Sequence, residues 1–150
     1  MTRLRAGVVD VCVLRRSGKA WKVLLLRRAA STRTAGSWEI VHGRIERGEK
    51  PAAAARRELL EETGFAAETL YSVAVNPFYL LKTDTVQLAI VFAAEVRRSR
   101  VTLGEEHDNA KWVSVAAAAR ALTWPRDVEA VRAAVRLLAN RRVIESTLRA

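Results

Sequence analysis

Apolar residues cluster in short runs along much of this chain, and runs of this length are typical of β-strands. Strands are predicted over residues 7–15, 21–27, 38–42, 69–75, 85–97 and 111–113. The first two runs are separated by a turn around Ser17-Gly18, so they are predicted to form a hairpin. Asn76-Pro77 is a turn signal and is expected to end the strand that begins at residue 69.

Three other stretches have the features of helices. Pro51 suits the first turn of a helix, four alanines follow it, and Gly64 is expected to end that helix. Leu59 and Leu60 are expected to supply its apolar side, whereas Lys50 is a poor capping residue. Ser114 is predicted to cap a helix over 115–122. Apolar residues at helical spacing predict an amphipathic helix from Asp127 to Asn140.

These elements mix strands and helices without regular alternation, so periodicity alone predicts an α/β or α+β fold. No internal repeat or linker divides the chain, and its 150 residues suit a single domain over 1–150.

Composition narrows the picture only a little. The net charge is +10, and 21 of the 26 basic residues are arginine. A basic surface of this kind suits polyphosphate substrates, but no nucleic-acid-binding motif accompanies it, so no specific nucleic acid is expected. The lone Cys12 lies in an apolar run and is expected to be buried. Neither a signal peptide nor a membrane span is predicted, which makes a cytoplasmic location the default expectation.

The strongest chemical signal lies in residues 43–65, GRIERGEKPAAAARRELLEETGF. Glu58, Glu61 and Glu62 stand at i, i+3 and i+4, so a helix places all three carboxylates on one face. Like charges at this spacing repel each other, and a divalent cation would convert that repulsion into binding energy. Dense oxygen ligands suit Mg²⁺ or Mn²⁺, usually together with a substrate phosphate.

This segment resembles the signature of the Nudix hydrolases: Gly43, five residues, Glu49, seven residues, then Arg57-Glu58, an aliphatic residue, any residue, Glu61-Glu62, any residue, Gly64 and an apolar residue. The resemblance covers 23 of the 150 residues and matches all nine fixed positions. It implies an α/β fold of the Nudix type, an α/β/α sandwich with a mixed β-sheet. It also implies an enzyme that hydrolyses a pyrophosphate bond with the help of Mg²⁺ or Mn²⁺.

The resemblance further implies roles for the residues of the signature. Glu58, Glu61 and Glu62 would be metal ligands, and one of them would also assist the attacking water. Glu49 and Arg57 would pair and hold the loop before the helix in shape. His42 stands where many members have a second glycine whose carbonyl binds metal. Its carbonyl remains a candidate ligand, and its side chain a candidate for substrate contact or proton transfer.

The family often adds an acidic residue from a distant loop. The candidates here are Glu105, Glu106 and Asp108, and Glu106 is preferred because Glu106-His107, followed after four residues by Trp112, resembles members that act on nucleoside and pterin triphosphates. Base stacking is expected from an aromatic side chain, and phosphate binding from an arginine at a strand end. The candidates for these two roles are Trp38, Phe78, Tyr79, Arg27 and Arg28.

The resulting hypothesis is a pyrophosphohydrolase for a nucleoside triphosphate or a related compound such as dihydroneopterin triphosphate, releasing monophosphate and pyrophosphate. It would act on a small nucleotide-type substrate as a monomer or homodimer. One alternative is a hydrolase of a nucleoside diphosphate derivative: ADP-ribose, a sugar nucleotide or a dinucleoside polyphosphate. Another is a non-catalytic, nucleotide-sensing module, which would be expected to lack one or more of the signature glutamates, and none is missing.

Overall fold

The computed structural model describes residues 1–139 and 148–150. Within them the chain forms strands, helices and one short 3-10 turn at Leu81–Thr83. The strands are β1 (Arg3–Ser17), β2 (Ala20–Arg28), β3 (Trp38–Glu39), β4 (Val41–Arg44), β5 (Thr69–Leu80), β6 (Thr85–Glu95) and β7 (His107–Ser114). The helices are α1 (Pro51–Thr63), α2 (Val115–Ala121) and α3 (Pro125–Ala139).

The sheet is mixed, with β1 near its centre. Strand β1 runs parallel to β6, and β5 pairs antiparallel with the far side of β6. The predicted hairpin is confirmed, because β1 and β2 pair antiparallel from Leu14↔Val23 to Ser17↔Ala20. Strand β2 then leaves β1 and pairs on that side with β3, while β7 pairs with its other side from Lys22 to Arg28.

The residues that lead into the Nudix-like signature fill the gap between the diverging β1 and β2. Trp38 and Glu39 pair with β2, and Val41 to Arg44 pair with β1. The single strand predicted over 38–42 is therefore two strands with a break at Ile40, because its two ends pair with different neighbours. This placement holds Gly43 and His42 against the middle of β1.

Helices cover both faces of the sheet. Ala54, Ala55 and Leu59 of α1 pack on one face with the alternate β1 residues Val9, Val11 and Val13. On the other face α2 and α3 contribute Ala118, Ala130 and Val131 to a cluster that includes Cys12 and Leu14. The opposite pointing of successive strand residues explains the two clusters. The predicted α/β/α sandwich with a mixed sheet is confirmed, and Cys12 is buried as expected.

Helix α1 has the bounds that its sequence predicts. Gly64 ends it at φ 76°, a left-handed conformation that favours glycine, and Lys50 makes no side-chain cap hydrogen bond. Leu59 is fully buried, but Leu60 is 57% exposed. The expectation that both leucines pack inward is wrong, because adjacent helical residues point about 100° apart.

Two strands in the second half are longer than predicted. Strand β5 does not end at Asn76-Pro77 but continues to Leu80. Proline is tolerated there because β5 is an edge strand and needs partners on one side only. Strand β7 begins at His107 rather than 111, since its pairing with β2 extends to Arg28.

The last two helices also follow the sequence signals. The Ser114 hydroxyl accepts a hydrogen bond from the Ala117 N–H at 3.1 Å and so caps α2, as predicted. Helix α3 begins at Pro125, two residues before its predicted start. The predicted last residue, Asn140, lies outside the described residues. No helix in the described ranges is both long and apolar enough to span a bilayer.

Candidate active site

A bidentate ion pair joins the loop before α1 to the helix itself. Arg57 Nε donates to Glu49 Oε1 at 2.9 Å, and Nη2 donates to Glu49 Oε2 at 3.0 Å. The same Nη2 donates to the Arg44 carbonyl at 2.9 Å, and Glu49 accepts from the Glu46 N–H. Two parallel bonds fix the guanidinium plane, so this pair gives the loop a defined shape.

The three signature glutamates on α1 differ in exposure. The Glu62 side chain is 5% exposed, that of Glu58 13% and that of Glu61 57%. Arg57 Nη1 contacts both Glu58 Oε1, at 2.8 Å, and Glu61 Oε2, at 3.4 Å. Gly43 packs directly on Glu58, because a Cβ at this position would overlap the Glu58 carboxylate. Any larger residue at 43 would displace Glu58.

Glu62 lies in an environment that disfavours its negative charge. Burial raises its pKa well above the usual range, and the charges of Glu58, Glu39 and Glu106 raise it further. The His42 N–H donates to Glu62 Oε2 at 3.2 Å and opposes this only weakly. Burial also raises the pKa of Glu58, against the lowering effect of Arg57. This end of α1 therefore carries more carboxylate than the neighbouring protein cations neutralise.

A second buried set of polar side chains lies behind Glu62. Glu39 Oε1 accepts from Arg28 Nη1 at 3.1 Å and lies 2.8 Å from His107 Nε2. His107 Nδ1 approaches Glu62 Oε1 to 3.6 Å. Burial raises the pKa of Glu39, but the hydrogen bonds and charges of His107 and Arg28 outweigh it and hold the pKa below its usual value.

Asp10 is the centre of a third polar group, on β1. It is fully buried, and its carboxylate contacts His42 Nδ1 at 2.6 Å and Arg126 Nε at 2.8 Å. Burial raises the Asp10 pKa, yet the bond to His42 and the charge of Arg126 outweigh burial and keep the pKa low. The His42 pKa is raised, because its bond with Asp10 outweighs burial. The His42 side chain is thus oriented by β1 and α3.

Asp127 sits next to this group on α3. Its Oδ2 accepts from the Ile40 N–H at 3.3 Å, while Oδ1 has no hydrogen-bond partner among residues 1–139 and 148–150. Burial and the nearby charge of Asp10 raise the Asp127 pKa to about 7.

A cleft of about 990 Å³ is lined by His42 and Arg44, the two neighbours of the Gly43 that packs on Glu58. Strand β4 forms part of its wall, and this wall continues to the signature loop. The cleft is lined by several cationic side chains and one aromatic ring, among them Arg3, Arg5, Arg33, Arg44, His42 and Phe78. Arg126 lies 4.1 Å from the Phe78 ring centre, a cation–π distance that holds the ring in place. The cleft therefore combines positive charge with a flat apolar surface.

The other residues predicted for the site lie on different strands of the sheet and in the loop before β7. Glu106 is exposed in the loop before β7, and its charge raises the pKa of Glu58 and Glu62, so it faces the acidic helix. Asp108 instead pairs with Arg27 at 2.7 Å. Lys111 Nζ lies 4.1 Å from the centre of the Trp38 ring. The Tyr79 hydroxyl donates a hydrogen bond to Asp84 Oδ1 at 2.8 Å. Trp38, Tyr79 and Arg27 are not among the residues that line the cleft.

Sequence reasoning missed four residues of the site: Asp10, Arg126, Glu39 and Asp127. A usable signal existed for the first. Asp10 interrupts an otherwise apolar run on a central strand, and a buried carboxylate needs a cationic or hydrogen-bonding partner. No local pattern marks Arg126 as that partner, since 116 residues separate the two.

Comparison with known proteins agrees with this geometry. A model of the NUDIX domain matches residues 4–134, so the chain belongs to the NUDIX family. A solved MutT protein from Methanosarcina mazei has a similar structure, with a TM-score of 0.73, 27% identity, and coverage of 91% of this chain and 96% of that one.

Three curated relatives show the range of proteins that this chain is similar to. An octanoyltransferase of Myxococcus xanthus is 36% identical over 129 residues, which is 84% of this chain and 36% of that protein. An RNA pyrophosphohydrolase of Bartonella tribocorum is 38% identical over 74 residues, or 47% and 42% of the two chains. An oxidized purine nucleoside triphosphate hydrolase of Mus musculus is 30% identical over 93 residues, or 62% and 59%. The chain spans less than half the length of the first two.

Proposed function

We propose that this protein catalyses Mg²⁺-dependent hydrolysis of a pyrophosphate bond in a nucleoside triphosphate or a related compound such as dihydroneopterin triphosphate. The products would be a monophosphate and pyrophosphate. One observation carries the proposal: strand β4 contacts buried Glu62 through the His42 N–H, and the same strand contributes His42 and Arg44 to a cleft lined by arginines. Such a site matches a substrate that brings phosphates and a divalent cation together.

The donor set fits a divalent cation. Glu62 Oε1 is buried and has no hydrogen-bond partner in the part of the chain that the structure describes, and Glu58 and Glu106 place further negative charge around it. Glu58 and Glu62 would hold the ion, with Glu61 and Glu106 closer to solvent. Mg²⁺ in such a site supplies a Lewis acid that neutralises phosphate charge and acidifies a bound water.

The protein's own residues would perform the positioning. Arg44 and the other cleft arginines bind the phosphates and align the substrate, which is the main demand of phosphoryl transfer. Arg57 keeps the loop and Glu58 in register through its bonds to Glu49 and the Arg44 carbonyl. The ring of Phe78, braced by Arg126, offers a surface on which a base or pterin can stack.

Two of the relatives support this class of reaction, since their names describe a pyrophosphohydrolase and a nucleoside triphosphate hydrolase. The first of these names also favours a second candidate substrate, the 5′-triphosphate end of an RNA, which carries the same reacting group. The arginine-lined cleft suits either substrate.

A substrate panel tests the proposal. Deoxynucleoside triphosphates, dihydroneopterin triphosphate, a 5′-triphosphorylated RNA, ADP-ribose and diadenosine tetraphosphate are assayed with Mg²⁺, and the products are identified by mass. The Glu62→Gln variant, prepared in parallel, corrects for contaminating phosphatases. We expect the highest kcat/KM for a small triphosphate. The proposal fails if the best triphosphate has a kcat/KM more than tenfold lower than that of ADP-ribose or diadenosine tetraphosphate. Tenfold corresponds to about 1.4 kcal/mol of transition-state stabilisation in favour of the competing substrate, and the enzyme would then be assigned to nucleoside diphosphate derivatives.

A further inference from the structure

Two buried atoms face each other behind the acidic helix, and neither has a hydrogen-bond partner among the described residues. They are His107 Nδ1 and Glu62 Oε1, 3.6 Å apart. The His107 side chain is 0% exposed and that of Glu62 5%. Water therefore has little access to either atom, and a buried polar atom without a partner is costly.

The contacts of His107 define which of its nitrogens carries hydrogen. Glu39 Oε1 lies 2.8 Å from Nε2 and also accepts from Arg28 Nη1. A carboxylate can only accept, so Nε2 carries the hydrogen that the bond requires. In the neutral ring Nδ1 then carries a lone pair and lies 3.6 Å from Glu62 Oε1. Two electron-pair donors that face each other are a stable arrangement only with a proton or a metal cation between them.

The spacing of these two atoms suits a metal ion. Two ligands at about 2.1 Å from one ion, at right angles, stand about 3 Å apart, and a wider angle increases that separation. The observed 3.6 Å lies beyond hydrogen-bond distance but within this range. One polar side-chain atom from each of Glu39, Glu62 and His107 lies within 4.8 Å of the other two, so the three side chains form one cluster.

The hydrogen bond on the other side of the ring has the form found in metal sites. A histidine that binds metal through one nitrogen usually donates its other N–H to a carboxylate, which fixes the tautomer and ring orientation. Glu39 fills this position for His107, and Arg28 in turn fixes Glu39. The side chains of Arg28, Glu39 and His107 thus already have the arrangement found around an ion that is bound by a histidine nitrogen.

We propose that His107 Nδ1 and Glu62 Oε1 bind one divalent transition-metal ion together, with Glu39 orienting the imidazole. This deepens the proposed function and rests on it, because Glu62 is there assigned to the catalytic metal. The all-oxygen set expected from the signature would then include a nitrogen ligand. Imidazole favours first-row transition ions over Mg²⁺, so the site discriminates between the two.

Mn²⁺ titrated into the untagged, metal-free protein tests this without any turnover measurement. Pulsed EPR of the bound ion detects coupling to a directly bonded ¹⁴N nucleus. We expect this coupling in the wild type and its loss in His107→Gln, in which the amide can still donate to Glu39 but Nδ1 is gone. The Mn²⁺ Kd should rise about tenfold or more in that variant, the scale of loss at metal sites. The Mg²⁺ Kd should change less than about threefold.

The chain contains two histidines, so His42→Gln is the matched control and should keep the nitrogen coupling. Protein labelled with ¹⁵N-histidine provides a test that needs no variant, because a histidine ligand must then show ¹⁵N in place of ¹⁴N coupling. Bound Mn²⁺ without histidine coupling in the wild type overturns this inference and leaves the proposed function standing. Coupling that is lost in His42→Gln but kept in His107→Gln also overturns it. Failure of the wild type to bind Mn²⁺ or Mg²⁺ overturns both.

Discussion

Asp10 and Glu62 are both buried carboxylates on the walls of one site, yet the protein treats them in opposite ways. Asp10 meets His42 and Arg126 at 2.6 and 2.8 Å, and its pKa is low despite burial. Glu62 has one weak backbone donor and acidic neighbours, and its pKa is raised. Where the protein supplies its own cations the carboxylate is structural. At Glu62 none of the described residues plays this part, and the metal ion proposed above would supply the missing positive charge.

The largest expected effect comes from changing Asp10, the carboxylate that protein side chains neutralise. Asp10→Asn leaves the partly buried Arg126 charge without its nearest counter-ion, so the free energy of unfolding should fall by about 3 kcal/mol. Urea denaturation measures this. Glu129→Gln, which breaks the exposed pair with Arg132, is the control and should cost under about 1 kcal/mol. Equal losses in both variants would mean that the Asp10 group is no more than a surface pair.

Glu62→Gln should lower turnover at least about 100-fold, roughly 2.7 kcal/mol of barrier, because the proposed metal site loses a negative charge. Without metal, the same change should raise the melting temperature at pH 8. The folded pKa of Glu62 is raised, so ionisation destabilises the fold as pH rises. Near wild-type turnover at saturating Mg²⁺ would refute the metal assignment. Glu61→Gln should lower turnover less than Glu62→Gln does, because the Glu61 side chain is exposed.

Asp127 is intermediate between Asp10 and Glu62, because one of its two oxygens accepts a hydrogen bond and the other has no partner among the described residues. Its effect on stability should therefore depend on pH. Its folded pKa of about 7 exceeds the ordinary 3.8, so protonated Asp127 stabilises the fold at acidic pH, and this contribution is lost progressively as pH rises from the lower value to the higher one. Between pH 5 and 6 wild-type stability should fall, relative to Asp127→Asn, by about 1.4 kcal/mol per pH unit. Stability curves measured from pH 4 to 8 test this. Parallel curves for the two proteins would show that Asp127 ionises normally.

The smallest expected effect is that of Arg57→Lys. This variant keeps a cation near Glu58 but loses the two parallel hydrogen bonds that hold Glu49. We expect turnover to fall about fivefold, roughly 1 kcal/mol, with a more mobile loop and little change in KM. Steady-state kinetics and proteolysis of the 44–50 loop measure the two effects. If KM alone rises, Arg57 contacts substrate and the architectural role assigned to it is wrong.

The sequence predicts the acidic cluster around Glu62 far better than the group around Asp10. The spacing of Glu58, Glu61 and Glu62 is local, so one helix is enough to bring them together. The hairpin, the Gly64 stop and the Ser114 cap are local in the same sense and are confirmed. Asp10 and Arg126 are joined only by the packing of α3 on the sheet.

The same distinction explains the wrong predictions. Asn76-Pro77 is a genuine turn signal, but pairing with β6 along the whole of β5 outweighs it at the edge of the sheet. The break at Ile40 follows from the divergence of β1 and β2, which no pattern within 38–42 records. Tertiary pairing decides both cases.

Pro77 also affects how the molecule meets copies of itself. An edge strand presents a row of unpaired donors and acceptors, and another chain's strand can add to that row and begin aggregation. At the start of β5 this row is covered, because Tyr71 bridges to Arg149 and the Ala150 N–H donates to the Leu70 carbonyl at 2.8 Å. Further along, Pro77 has no N–H to offer, just where Val75 and Tyr79 are half exposed. The residue that misleads the strand prediction thus interrupts the stretch of edge most open to self-association.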